Sequence, residues 1–236
     1  MQTQELWPGG PLFRQSEHFR PGTDSLLLAD FVQPRGAARG IDLGCGSGIL
    51  MLLLAERSER LHMTGLELQP EAAAVARENM ARNGLSPRCE LVEGDIRRHA
   101  ELFRAGSFDL AVSNPPYFPP NSGAVSPRED RAAARTEGSC SLEELCAAAA
   151  RLLRTGGSFC LVHRPERLSE LCGTLAAQGL EPKRLRLVCA RADSAPSLVL
   201  LEARRGGRPG LKIEPMLVLR DPDGAESEEY RRICHR

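Results

Sequence analysis

Four consecutive residues, Asn114-Pro115-Pro116-Tyr117, carry the most specific chemistry in the chain. An amide or aromatic NH2 is a poor nucleophile, because its lone pair is delocalised into the carbonyl or the ring. A site that uses such a nitrogen must supply hydrogen-bond acceptors. The Asn114 side-chain oxygen and the Pro115 backbone carbonyl can each accept one N–H, which aims the lone pair at an incoming carbon for in-line transfer. Pro115 and Pro116 hold that carbonyl rigid, and Tyr117 can stack on a planar group such as an extruded base. Neither a metal nor a covalent nucleophile is required. Asn and Pro are also common turn residues, so the placement of the four in the chain decides between chemistry and a plain turn.

The elements around them alternate. Arg39 to Leu43 reads as a strand ending in glycines, and Ile49 to Arg57 as the helix that follows. Leu61 to Leu68 is the next strand, and Pro70 suits the first turn of a helix through Arg82 that Asn83-Gly84 stops. Arg88 to Val92 is a third strand, Ile96 to Phe103 a short helix, and Phe108 to Ser113 a fourth strand running into Asn114. The region from Phe118 to Gly138, rich in Pro, Ser, Gly and charge, reads as a substrate-side loop. Ser141-Leu142-Glu143-Glu144 is a capping box opening a helix expected to end near Thr155-Gly156-Gly157. Ser158 to His163 is strand five and Pro165 to Gln178 a helix, while Lys183 to Ala190 and Ser197 to Arg204 read as an antiparallel hairpin. The expected fold is α/β: a doubly wound, Rossmann-like, mostly parallel seven-stranded sheet with an antiparallel edge hairpin.

In such a sheet ligands bind beyond the carboxyl ends of the strands. Asp42-Leu43-Gly44-Cys45-Gly46-Ser47-Gly48 follows the first strand, where glycines let the backbone turn sharply and approach a ligand. Glu67 ends the second strand, where a carboxylate can accept both hydroxyls of a ribose. Asp95 follows the third, placed to meet an adenine amino group. Three such features at successive strand ends point to a nucleoside ligand. NAD fits poorly: its loop is Gly-x-Gly-x-x-Gly, whereas this one is Gly-x-Gly-x-Gly preceded by Asp42, a negative charge where a pyrophosphate would lie. A cationic methionine moiety, as in S-adenosylmethionine (SAM), suits Asp42 better.

Bulk properties set limits on partners and setting. Lys and Arg number 31 and Asp and Glu number 31, so no global field favours nucleic acid, membrane or an acidic ligand, and any RNA contact must be local. The exception is the stretch from Lys183 to Lys212, with Arg184, Arg186, Arg191, Arg204, Arg205 and Arg208 against Asp193 and Glu202. It reads either as a phosphate-tracking patch or as a solvated edge. A second, diluted basic strip is Arg128, Arg131 and Arg135. The start of the chain lacks a basic leader, and the apolar run Ile49 to Ala55 is too short for a bilayer. Eight cysteines without a Cys-x-x-Cys pair indicate a reducing cytoplasm, with neither zinc nor disulfides.

The Asn-Pro-Pro-Tyr motif resembles that of SAM-dependent amino-methyltransferases acting on adenine N6, cytosine N4, guanine N2 or a glutamine amide, and does not choose among them. More of the chain does. The run His18-Phe19-Arg20-Pro21-Gly22-Thr23-Asp24-Ser25-Leu26-Leu27-Leu28, the step Gly65-Leu66-Glu67-Leu68-Gln69-Pro70, Val162-His163-Arg164-Pro165-Glu166-Arg167 and Gly207-Arg208-Pro209-Gly210-Leu211-Lys212 look like the bacterial tRNA-Val (adenine-N6) methyltransferase family. The resemblance covers nearly the whole chain. It implies methylation, with SAM, of the adenine beside the anticodon of a valine tRNA. It also implies that Gly22, Thr23 and Asp24 cover the methionine end of SAM and that Gly44, Gly46 and Gly48 line its floor. Glu67, with Leu68 next to it, would hold the ribose, and Asp95 with the Ile96 backbone the adenine. Three parts are then expected: a lead over residues 1–38 that covers the cofactor, a methyltransferase domain over 39–205, and an extension over 206–236. Many relatives carry Arg-His-Glu where this chain has Arg135-Thr136-Glu137, so no histidine role carries over there. Glutamine N5 methylation fits less well, because only about forty residues precede the glycine loop, too few for a helical substrate-gripping domain. A non-catalytic SAM-binding subunit would have no use for a rigid carbonyl at Pro115. Monomer and homodimer both remain open, and the tail from Asp221 to Arg236 has no functional reading.

Overall fold

The computed structural model describes residues 3–15, 22–34, 36–116 and 140–235. Tyr117, the loop 118–138 with Arg128, Arg131, Arg135 and Thr136, and the His18 to Pro21 part of the N-terminal run lie outside the described residues.

Near the start, β1 (Gln4–Glu5) and β2 (Leu12–Phe13) form a small antiparallel hairpin. Then come α1 (Thr23–Phe31), β3 (Arg39–Leu43), α2 (Ile49–Arg57), β4 (His62–Glu67), α3 (Pro70–Arg82) and β5 (Cys89–Glu93). The expected helix 96–103 divides into a 3-10 turn, Ile96–Arg98, and α4 (His99–Leu102), because Asp95 caps the turn tightly by accepting from the Arg97 backbone N–H. Next are β6 (Phe108–Ser113), α5 (Leu142–Leu152) and β7 (Leu153–His163). α6 (Leu168–Ala177), β8 (Leu180–Cys189) and β9 (Pro196–Arg205) follow, and β10 (Lys212–Ile213), β11 (Leu217–Val218) and α7 (Glu228–Ile233) close the chain.

Local sequence explains most of these. α2 is apolar on every side from Ile49 to Ala55 and is buried throughout, the pattern of a helix enclosed by the core. α3 starts with Pro70 at N1 and buries Ala72, Ala73, Ala76 and Met80 at helical spacing. The Ser141 capping box forms: its hydroxyl accepts from the Glu144 N–H, and the Glu144 carboxylate accepts from the Ser141 N–H at 2.8 Å. That helix ends earlier than expected, at Leu152. Arg154 to Gly157 instead bulge out of the sheet, with Phe108 paired to Leu153 but Leu110 to Ser158, and Gly156 takes φ +79 there.

Among the described residues the main sheet has nine strands, in the order β10-β8-β9-β7-β6-β3-β4-β5, with β11 also on β8. β3, β4, β5, β6 and β7 are parallel. The expected hairpin forms, and its second strand, β9, is the one inserted antiparallel between β7 and β8. The two short strands that pair in parallel with β8 were not foreseen, since each has only two residues and neither alternates. One apolar cluster packs α1, α2 and Met80 of α3 on one face of the sheet, and a second packs α5 and α6 on the other. Strand order reverses at β3, from which the chain runs out to β5 and returns to β6. This is where a crevice opens in a doubly wound sheet. Replacing Ser141 by Ala should remove one side of the capping box, cost about 1 kcal/mol and lower Tm by roughly 2–4 °C, read by thermal melting.

Candidate active site

The glycine loop leaves β3 through Gly44, Gly46 and Gly48, with φ values of +77, +54 and +81. A side chain would strain all three, and a Cβ at Gly48 would also press on Ala76 at 3.1 Å. The loop is stitched to the neighbouring strand end, since Gly44 N–H and Cys45 N–H both donate to the Leu66 carbonyl. Glu67, nearly buried, accepts from Gly46 N–H at 2.7 Å through one carboxylate oxygen and from Gln69 N–H at 2.9 Å through the other. Asp42, Glu67 and the glycine loop are thus one cluster at the ends of β3 and β4.

Asp42 is 1% exposed, and neither of its carboxylate oxygens has a hydrogen-bond partner among the described residues. Burial, and then the nearby Glu67 carboxylate, push its pKa well above the usual range. A buried carboxylate with no partner is costly. It is the group that a cationic ligand would satisfy, as the ammonium or sulfonium of SAM would, so the residues present fit that cofactor. Along the strand ends, Leu68 is 43% exposed, an apolar side chain left uncovered beside Glu67. Asp95 lies beyond β5, where the Arg97 guanidinium, by hydrogen bonding, holds its carboxyl below the usual range. Ile96 opens the turn after Asp95 and lies 3.9 Å from the place a Gly44 Cβ would take.

Across the switch point, Ser113 at the end of β6 donates to the Leu43 carbonyl at 2.7 Å. Asn114 therefore leaves β6 beside the glycine loop. Its Nδ2 donates to Ser25 Oγ at 3.0 Å, and Ser25 is buried on α1. That bond holds the amide nitrogen against α1. Pro115 is half-buried, Pro116 exposed, and no hydrogen bond among the described residues reaches the Pro115 carbonyl. Gly22 precedes α1 as its N-cap, and Thr23 and Asp24 form its first turn. The structure thus brings Gly22 to Asp24, the β3 loop, Glu67 and Asn114 to one edge of the molecule, with Asp95 further along that edge.

Sequence reasoning missed Ser25, Asn79 and Tyr230. Ser25 stood inside the resemblance run without a role. Asn79 is fully buried, accepts from Arg14 N–H, and donates to the Arg14 and Ser47 carbonyls, tying the N-terminal hairpin to the glycine loop. A buried Asn at mid-helix was the available signal. Tyr230 on α7 hydrogen-bonds Thr23 at 3.4 Å, a contact 207 residues apart in sequence.

Residues 17–171 match the family described as the methyltransferase small domain. The chain belongs to that family. The methyltransferase is also 36% identical to a tRNA1(Val) (adenine(37)-N6)-methyltransferase of Tolumonas auensis, over 89% of this chain and 85% of that protein. It is 34% identical to the protein of the same name from Dickeya chrysanthemi, over 98% and 94%. Among solved structures, the Agrobacterium tumefaciens protein Atu636, described as a predicted O-methyltransferase, aligns with TM-score 0.71 at 22% identity over 90% of this chain and 95% of that one. The geranyl diphosphate C-methyltransferase of Streptomyces coelicolor, solved with S-adenosyl-L-homocysteine, aligns with TM-score 0.57 at 14% identity, over 76% and 78%. These two show the class I methyltransferase fold, and family membership makes SAM the cofactor of this chain. Among the described residues no helix is long and apolar enough to cross a membrane.

Two outcomes follow from the geometry. The raised Asp42 pKa means that the folded apoprotein binds a proton more tightly than the unfolded chain. Its stability is therefore full below about pH 3.9 as far as this group is concerned, and falls as pH rises through the raised folded value. Asp42→Asn should remove that loss, raise the apoprotein Tm by about 3 °C at neutral pH, and weaken SAM binding at least about tenfold, by melting curves and calorimetry. Ser25→Ala should leave Tm nearly unchanged and the KM for SAM within about twofold while lowering kcat about tenfold, because it removes the hold that Ser25 Oγ has on the Asn114 amide.

Proposed function

We propose that this chain transfers a methyl group from SAM to N6 of the adenine at position 37 of a valine tRNA. One observation carries the reading. Asn114 and Pro115, two acceptors for an NH2 group, stand at the switch point next to the unpartnered Asp42 carboxylate, in a chain whose relatives by that name match it over most of both lengths. SAM supplies a methyl group made electrophilic by its sulfonium.

The chain's residues do the rest. Asp42 balances the positive charge of the methionine moiety, Glu67 accepts from the ribose hydroxyls, and Asp95 with the Ile96 backbone reads the adenine. Leu68 offers apolar area beside the ribose. Gly22, Thr23 and Asp24 close the methionine end from above, and Gly44, Gly46 and Gly48 let the backbone come close beneath. On the acceptor side, Asn114 Oδ1 and the Pro115 carbonyl each accept one N–H of the base. This localises the nitrogen lone pair and aims it at the methyl carbon. Pro116 stiffens the turn, and Tyr117 stacks on the base once it leaves its own stack. As the new N–C bond forms, the bond from the methyl carbon to sulfur would break, S-adenosylhomocysteine would leave as a neutral thioether, and the nitrogen would give one proton to solvent. A tRNA substrate places the reaction in the cytoplasm.

The test is label transfer from SAM to unmodified tRNA, followed by mass spectrometry of the nucleosides. N6-methyladenosine is the expected product, and Asn114→Ala should lower its rate about 100-fold. Label in cytidine or guanosine, or equal rates for the two proteins, would overturn the assignment.

A further inference from the structure

The edge of the sheet opposite the cofactor crevice holds a recess of about 510 Å³. It is bounded by the start of β6 at Asp109, the start of β8 at Lys183 and Arg184, the end of β9 at Arg204, and Lys212 of β10. Its carboxylates are already matched. Asp109 pairs with Arg154, while Glu202 and Glu214 pair with Arg184 at 2.9 and 3.2 Å.

Positive charge is left over at the rim. Among the described residues Lys183 donates to the Arg208 carbonyl alone, at 2.9 Å, which brings Arg208 alongside. Lys183, Arg208 and Lys212 have no ion-pair partner among the described residues. Arg204, 48% exposed, shares Glu202 from 3.7 Å. Four cations thus face solvent together in a chain whose formal charge is zero. By contrast, much of the rest of the basic stretch is turned inward. Arg184 stacks on Phe31, Arg186 pairs with Glu229, and Arg205 donates to main-chain carbonyls of α5 and β7.

The rim lies far from the acceptor motif. Asp109 and Asn114 are five strand residues apart, about 17 Å of sheet. No rim side chain can touch a base held at Asn114. A ligand that uses both places must be a long polyanion.

We propose that this far edge is a second RNA contact. It would take backbone phosphates of the tRNA outside the loop that presents the adenine, and it rests on the tRNA reading above. Phosphate contacts of this kind position an RNA without reading its sequence.

The experiment compares equilibrium binding of full-length unmodified tRNA and of its isolated anticodon hairpin. The proteins compared are the wild type and the double variant Arg208→Glu, Lys212→Glu. Wild type should bind the full-length tRNA about tenfold more tightly than the hairpin. The variant should bind both with the hairpin's affinity, with unchanged Tm and SAM affinity. Its salt dependence on full-length tRNA should also fall, by about 0.9 log units per log unit of salt for each phosphate it no longer neutralises. Equal wild-type affinity for the two RNAs, or a variant that keeps the preference, would overturn the second contact. Failure of wild type to methylate tRNA, scored separately, would overturn the parent reading as well.

Discussion

The pairing of β3 with β6 is the constraint on which the rest of the molecule depends. Ile41 and Asp42 lie beside Ala111 and Val112, and the Ser113 hydroxyl closes the join on the Leu43 carbonyl. Because the chain reverses its direction of travel across the sheet at that pair, two loops diverge from adjacent strand ends. One is the glycine loop and the other begins with Asn114. Cofactor and acceptor sites are neighbours for that reason, although they are about seventy residues apart in sequence.

The same edge concentrates the energetic cost of the site. Asp42 is buried with no hydrogen-bond partner among the described residues, Glu67 is held by two backbone N–H groups, and three alternate glycines, Gly44, Gly46 and Gly48, take left-handed conformations. The Glu67 bonds offset part of this, but the buried Asp42 carboxylate and the left-handed loop cost an empty protein stability. The surrounding apolar clusters, with α2 buried from Ile49 to Ala55, provide the stability that allows such a cluster to persist.

The C-terminal segment gives the molecule its second layer of support. β10 and β11 cover the outer edge of β8, and an exposed sheet edge is otherwise open to pairing with other chains. α7 then reaches α1 through Tyr230 and Thr23 and through Arg232 and Asp30, and His235 stacks on Trp7. Arg186 anchors α7 from β8 and keeps the Glu229 carboxyl below its ordinary range, chiefly by hydrogen bonding. α1, which carries Gly22 to Ser25 over the site, is thereby held between the sheet and the end of the chain.

Local signals were enough for the parallel core. Apolar runs bounded by Gly, Pro and Asn gave α2, α3 and β6 with the observed limits, and Ser141 with Glu144 announced α5, because capping and burial patterns are written within a few residues. The residue types at the strand ends, Asp42, Glu67, Asp95 and Asn114, were likewise legible, since a doubly wound sheet puts strand ends where ligands bind. Tertiary structure alone decided what holds them. The Asn114 partner is Ser25, 89 residues away, and no local pattern marks it. The two-residue strands β10 and β11 exist only because β8 offers them an edge. The basic stretch 183–212 reads in sequence as one patch. In space its strands run in opposite directions, so Arg184, Arg186 and Arg205 are matched inside the fold, Lys183, Arg204, Arg208 and Lys212 gather at the edge farthest from the chemistry, and Arg191 lies past the other end of β8 beside Asp193. Contacts of that range depend on topology, which spacing along the chain does not contain.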